Sequence, residues 1–214
     1  IITWFKVKGK LEMIGGARER FEDCIDDIAA GIGYACKRGS KEIVLVGHST
    51  GCQKSIYYQS TTQDPRVKGI VLLGPASDTD YEKKRLGKKF VWALAYAKGT
   101  LKVGQGDRLF YGTEEFLTYR RFYSLHKPTS LEGNIFNYRT GRMRLLSRIG
   151  VPVLAAYGSE DHYSIYTPKS ELEMIGKNLK DGFKPLIIKG GGHSFEGKEK
   201  NLADAIARWL RKTV

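Results

Sequence analysis

The sequence is poor in the residues that build metal and redox centres. It holds three cysteines, Cys24, Cys36 and Cys52, and four histidines in 214 residues. The cysteine number is odd, no Cys-x-x-Cys occurs, and there is no His-Glu-x-x-His or paired His/Cys cluster. Neither a disulfide framework nor a metal site is therefore expected, and a reducing, cytoplasmic setting is the better fit. The absence of an Asn-x-Ser/Thr sequon agrees with that setting. No P-loop Gly-Lys-Ser/Thr is present, and Gly190-x-Gly192 lacks the third glycine of a dinucleotide loop, so neither nucleotide-binding motif is supported. No apolar run approaches the ~18–20 residues that a membrane span needs. The longest, Ile43–Gly47 and Val151–Tyr157, have the length of buried strands. An initiator Met is also lacking. The opening Ile-Ile-Thr-Trp-Phe reads as a start inside a strand, with any targeting signal lying upstream.

What is present is a globular balance, with 41% hydrophobic and 28% charged residues, too apolar for a disordered chain. Lys and Arg number 36 against 23 Asp and Glu, a formal net charge of +13. Such a balance suits nucleic acid, an anionic surface, acidic substrates or simply a solvated basic exterior. No RNP-like run, zinc-finger spacing or basic-zipper pattern supports nucleic acid.

Along the chain, apolar runs alternate with helical periodicity. Ile1–Val7 is a β-prone run, and Gly15-Gly16 breaks the chain after it. Phe21, Ile25, Ile28 and Ile32, spaced 4, 3 and 4, predict one face of a helix. Strands follow at Glu42–Val46, Val67–Leu73, Val151–Tyr157 and Pro185–Ile188. Helices are expected over Thr50 to about Gln59, over Glu171–Leu179, and at the C-terminus around Leu202, Ile206, Trp209 and Leu210. This order predicts an α/β fold, with a mostly parallel sheet flanked by helices. One stretch interrupts it. Residues 78–148 carry 15 Lys and Arg against 7 Asp and Glu, and 12 of the 24 aromatics. That charge excess of eight marks an inserted cap or lid between two strands. Leu86, Phe90, Ala93, Leu94 and Ala97 suggest a helix there, broken at Gly99. The expected division is thus a core of residues 1–77 and 149–214, with a cap at 78–148.

The chemical signal is Gly47-His48-Ser49-Thr50-Gly51, directly after one strand and before a helix. A nucleophilic serine must stand clear of the sheet on a sharp turn, so its neighbours must be small, hence glycine on both sides. The helix that follows offers N–H groups and a partial positive charge to an anion, beginning with Thr50. Serine at its ordinary pKa needs a base, and the base an orienting acid. Asp161, in Gly158-Ser159-Glu160-Asp161, and His193 each follow a predicted strand. All three candidates would then share the C-terminal edge of a parallel sheet, where open α/β sheets place their sites. Glu160 competes for the acid role. His48, inside the turn, His162, beside the acid, and His126, in the insertion, fit the base role less well.

GHSTG, YGSEDHY and GGGHSFEG, with an insertion between the strands at 67–73 and 151–157, resemble the α/β-hydrolase superfamily over nearly the whole chain. GHSTGCQ with Tyr57-Tyr58 is most similar to a branch that includes fungal siderophore ester hydrolases. The resemblance implies a cofactor-free, esterase- or lipase-like serine hydrolase that cleaves a carboxylic ester or related acyl bond through an acyl-serine. Ser49 would be its nucleophile, His193 its base, Asp161 its acid and Thr50 N–H an oxyanion donor. The usual N-terminal strands are lacking, and with them the loop that donates the second oxyanion N–H. Losing one such donor typically costs ~10²–10³ in rate. A missing neighbour also opens the sheet beside Glu42–Val46. An upstream piece, a different pairing of Ile1–Val7, or a weak or inactive site would each account for the gap. The alternative function is a non-catalytic small-molecule binding protein on the same fold, with an incomplete oxyanion hole. The basic, aromatic insertion points to small anionic or aryl-bearing ester substrates, with solvated surface charge as the competing reading.

Overall fold

The computed structural model describes residues 2–7, 9–112 and 117–213. It begins with a hairpin. β1 (Ile2–Val7) pairs antiparallel with β2 (Lys10–Gly15) in a two-stranded sheet of its own. The run at Ile1–Val7 therefore does not join the parallel sheet, and Ile1 itself lies outside the described residues. The glycine pair Gly15-Gly16 marks one break in the sequence, and an earlier one precedes it. Val7 pairs with Lys10, and Gly9 between them takes φ +82°, a left-handed backbone that glycine adopts without strain.

The helical periodicity at Phe21 is realised as a short 3₁₀ turn leading into α1 (Cys24–Lys37), whose acids sit in its first turn. Then come β3 (Ile43–His48), α2 (Thr50–Thr62) and β4 (Val67–Leu73). The insertion supplies α3 (Asp78–Leu86), α4 (Lys89–Lys102), the two-residue strands β5 (Leu109–Phe110) and β6 (Leu117–Thr118), and α5 (Tyr119–His126). β7 (Val153–Gly158), α6 (Pro168–Asn178), β8 (Phe183–Ile188) and α7 (Glu199–Thr213) complete the chain. Helix α4 runs straight through Gly99. The break sits earlier, at Gly87 (φ +55°), which separates α3 from α4 and leaves Leu86 on the first of the two.

β3, β4, β7 and β8 form one parallel sheet in that order. The alternation of side chains sorts its two faces. Ile70, Leu72, Val153, Ala155 and Tyr157 pack with Ile56, Leu172 and Ile175 on the side of α1, α2 and α6. Val71, Leu154, Ala156 and Ile188 pack with Leu202 and Trp209 of α7 on the other. β7 is buried along its whole length, as a central parallel strand must be. β3 and β8 are the edges. On the α7 side of β3, Val46 stays 58% exposed, so the sheet is open beside this strand among the described residues.

The insertion divides in two. Its first part has its own small core of Ala97, Leu117, Phe122 and Leu125. Its last part, with Ile135, Phe136, Tyr138, Met143 and Leu146, belongs to the core of the main sheet. A buried ion pair joins the parts. Arg121 of α5 donates to both oxygens of Glu132, at 2.5 and 2.8 Å, and reaches Glu19 at 3.4 Å, which also pairs with Lys54 of α2. No helix among the described residues is long and apolar enough to cross a membrane.

Candidate active site

The turn after β3 has the strain that a presented serine requires. Ser49 takes φ 54°, ψ −124°, a conformation that costs a non-glycine residue about 1–3 kcal/mol. Neighbours hold it there. Ser49 N–H donates to Leu73 O at 2.9 Å, and Cys52 N–H donates to Ser49 O at 2.9 Å. Gly47 must be small, because a Cβ there would overlap the Gly51 carbonyl. Gly51 need not be, since its own Cβ would meet nothing within 4 Å. What crowds the turn is the Gly51 backbone pressing on Gly47. Cys52 is fully buried behind the turn, its thiol turned toward Gly47 O at 3.2 Å and Leu73 O at 3.4 Å. Burial raises that thiol's pKa, so it stays protonated. Thr50 is the first residue of α2, and an N–H in that turn has no intrahelical acceptor. Tyr58 serves the fold rather than the turn, since its buried hydroxyl donates to Asp64 at 2.7 Å.

Asp161 and His193 meet. The His193 Nδ1–H lies 2.9 Å from Asp161 Oδ2 and 3.1 Å from Oδ1. A carboxylate only accepts, so Nδ1 donates and Nε2 is left as the acceptor nitrogen. The Asp161 side chain is fully buried, and its Oδ1 also accepts from Tyr163 N at 2.9 Å. The two loops that carry the pair are stitched together. Ser159 N–H donates to Ile188 O, Glu160 N–H to Gly191 O and Gly190 N–H to Ser159 Oγ, all at 2.9 Å. Gly158 has no room for a side chain, since a Cβ there would overlap the Gly191 and Gly192 carbonyls. Phe195, buried at φ 59°, anchors the histidine loop in the α7 core.

Of the competing candidates, His48 and His162 flank the His193 ring, at 5.0 and 6.3 Å between ring centres, and His126 lies apart in α5. Glu160 is exposed and not bonded to His193. His48 is exposed, its Nε2 3.0 Å from His193 O. His162 is exposed with its ring 4.3 Å from Tyr163. His126 is buried in α5, 3.1 Å from Thr79 Oγ1. Burial, with Arg121 and Lys83 nearby, lowers its pKa to about 3. Ser49 and His193 are not hydrogen-bonded to each other. They lie at the same sheet rim, because Ser49 is bonded to Leu73 and the next residue, Gly74, abuts the imidazole.

Gly74 is one of several residues whose part in the site has no mark in the sequence. It has φ +57°, and a Cβ there would sit 2.9 Å from His193 Cε1, 3.0 Å from Nδ1 and 3.3 Å from Asp161 Oδ2. The bare glycine is thus the surface on which the pair rests. The next residue is pinned from below. Tyr138 and Tyr157, both buried, direct their hydroxyls at Pro75 O, at 2.5 and 2.7 Å, and lie 3.0 Å from each other. Burial raises both phenol pKa values well above the usual value, so both hydroxyls stay protonated. Glu171, fully buried in α6, accepts from Ile165 N at 2.7 Å and Tyr166 N at 3.0 Å and so fixes the loop that carries Asp161. Its own carboxyl pKa is raised by that burial. Tyr163 covers the imidazole at 4.5 Å between ring centres and touches Tyr81 of α3 at 4.6 Å. Gly74-Pro75 could be read from sequence only as a strand terminator, since the contact that matters lies 119 positions away at His193. Among the described residues no three His, Cys, Asp or Glu side chains gather as a metal site, and all three cysteines are unpaired.

Residues 16–213 match the family model described as "Protein of unknown function (DUF1749)". A search of curated proteins by sequence finds no match. Solved structures do match. A monoacylglycerol lipase of Paleococcus ferrophilus is 21% identical, with TM-score 0.62, over 92% of this chain and 77% of that one. The α/β hydrolase GrgF of Penicillium sp. sh18 is 14% identical, with TM-score 0.64, over 95% and 79%. A soluble variant of the Saccharomyces cerevisiae monoglyceride lipase is 14% identical, with TM-score 0.65, over 91% and 69%. At such identities the likeness is one of fold, and that fold is the α/β-hydrolase fold.

Proposed function

This chain belongs to the family described as Protein of unknown function (DUF1749), and on its α/β-hydrolase fold we propose that it is a serine hydrolase acting on a carboxylic ester or related acyl bond. The observation that carries the proposal is the buried Asp161–His193 hydrogen bond at the same rim as the strained Ser49 turn. The lipases among its structural likenesses lend support.

In this mechanism Ser49 Oγ attacks the acyl carbon while His193 Nε2 takes the hydroxyl proton. The carbonyl π pair moves onto oxygen, and Thr50 N–H donates to that oxyanion. Collapse expels the alkoxide, which receives the proton from His193 and leaves as the alcohol. Water then repeats the cycle on the acyl-serine, losing its proton to His193 and releasing the acid and Ser49. Asp161 holds Nδ1–H, fixing the tautomer and stabilising the imidazolium. Segment 78–148 acts as a cap that shapes the substrate pocket, its basic and aromatic content suiting anionic or aryl-bearing esters. Three unpaired cysteines fit a cytoplasmic setting.

Hydrolysis of p-nitrophenyl acetate and butyrate tests this. The parent should turn over. Ser49→Ala and His193→Ala should each lose about 10⁴-fold or more, and Asp161→Asn about 10⁴-fold. Equal rates in the parent and Ser49→Ala would refute it. One observation favours a second reading, a non-catalytic binding protein: Ser49 and His193 form no hydrogen bond. Such bonds are often long before substrate enters and tighten in the reacting complex, so the enzyme reading stands first.

A further inference from the structure

Helix α4 has a packed side and an unpacked side, and both are apolar. Phe90 and Ala97 are buried, with Ala93 and Leu94 beside them, in the small core of the insertion. The opposite side displays Trp92 at 78% exposure and Tyr96 at 64%, the latter with one edge of its ring 5.6 Å from Tyr119, and Val103, the residue after the helix, at 68%. Residues 92, 96 and 99 are spaced 4 and 3 along the helix, and Val103 just past its end continues the same row. Exposed large apolar side chains scattered singly need no explanation, whereas a row of them along one helix does.

Charge frames the stripe. At 100° per residue, Lys98 and Lys102 lie along one flank and Lys89 along the other, with Lys88 at the helix start. All four lysines are exposed, and the helix contains no Asp or Glu. An apolar stripe with a tryptophan and a tyrosine, bordered by lysines alone, is the arrangement of a helix that lies flat in a lipid headgroup layer. The rings enter the acyl boundary while the lysine stems run along it and their ammonium groups stay among the phosphates. We infer that α4 docks this protein on an anionic bilayer surface through Trp92, Tyr96 and Val103, with Lys88, Lys89, Lys98 and Lys102 holding the lipid headgroups. The inference is independent of the hydrolytic reading, because it involves no residue of the Ser49 site.

Two other occupants fit less well. A second copy of the same face would bring eight lysines into one interface with no acid from α4 to offset them. A nucleic acid would stack on Trp92 and Tyr96 but would gain nothing from Val103 or from Val91, which is 70% exposed.

Co-sedimentation with vesicles tests the inference. The probes are pure phosphatidylcholine and a 70:30 mixture of phosphatidylcholine and phosphatidylserine, each in 0.1 M and 0.5 M NaCl. The parent should partition to the mixed vesicles at low salt, and much less at high salt or to the neutral ones. Trp92→Ala with Tyr96→Ala should weaken partitioning about tenfold or more. Each of Lys98→Gln and Lys102→Gln should weaken it about fivefold, the equivalent of about 1 kcal/mol per lysine near an anionic surface. Trp92, Lys98 and Lys102 are exposed, so thermal melts of Trp92→Ala, Lys98→Gln and Lys102→Gln should match the parent, while Tyr96→Ala also loses an edge contact with Tyr119. No partitioning by the parent would overturn the inference, as would partitioning unchanged in the variants. So would a parent dimer that Trp92→Ala dissociates without any vesicle binding. Ester turnover by the same preparations reports separately on the Ser49 site.

Discussion

At the scale of the residue, the site rests on one missing methyl group. Gly74 touches His193 and Asp161 together, and its φ of +57° is a value that an L side chain adopts only with strain. Gly74→Ala should therefore displace the imidazole and strain the turn. Ester hydrolysis should fall by about 10²-fold, since a misplacement of about 1 Å in a reacting group has that effect. Circular dichroism should still show the fold. A Gly74→Ala protein that hydrolyses at the parental rate would mean that the imidazole does not rest on this turn. The residue scale is also where the sequence is most uneven as a guide. Ser49, Asp161 and His193 can be picked out because each lies in a glycine-bearing turn just past a predicted strand, a local signal. Gly74, Tyr138 and Glu171 carry no local signal, and Tyr157 is marked only as the strand end that opens YGSEDHY. Their importance arises from contacts between distant segments, such as the two phenols meeting at Pro75 O. Tyr138 even belongs to the insertion, where composition alone marks nothing but charge and aromatics.

At the scale of the element, strands and helices with buried faces are legible, and junctions less so. Val67–Leu73 matches its predicted bounds, and β3, β7 and β8 shift by one or two residues. Gly99 misleads, because an isolated glycine costs a helix only about 1 kcal/mol against alanine, which the packed face of α4 outweighs. Helix α5 has a consequence in acid. Its His126 is buried against Phe90 and Phe122, and its pKa of about 3 lies below the ~6.5 of an unfolded chain. Between those values the unfolded chain binds a proton that the folded chain does not, so folding stability falls as pH falls through that window. The slope is at most about 1.4 kcal/mol per pH unit. Urea denaturation at pH 7, 6, 5 and 4 should show this fall in the parent. His126→Gln should flatten it by about that amount, whereas an identical slope in the variant would assign the acid sensitivity to other groups.

At the scale of the whole molecule, the alternation of strand and helix is enough for a parallel α/β sheet and for the convergence of three loops on one rim. Two things are not legible. The first is that the N-terminal run pairs with its own successor in a hairpin, because period-two patterning shows that a strand exists and not which strand it joins. The second is that the insertion is split between two cores, with its second half buried under the main sheet. That burial gives the insertion a direct hold, through Tyr138, on the turn beneath His193. The geometry of that rim matters only if Ser49 is activated. The most direct measurement is an intact-mass and peptide-mapping experiment after exposure to a fluorophosphonate. The parent should carry a single phosphonyl adduct on Ser49, absent from Ser49→Ala and slowed by orders of magnitude in His193→Ala. A folded parent that takes up no adduct, or an adduct that persists in Ser49→Ala, would contradict that activation.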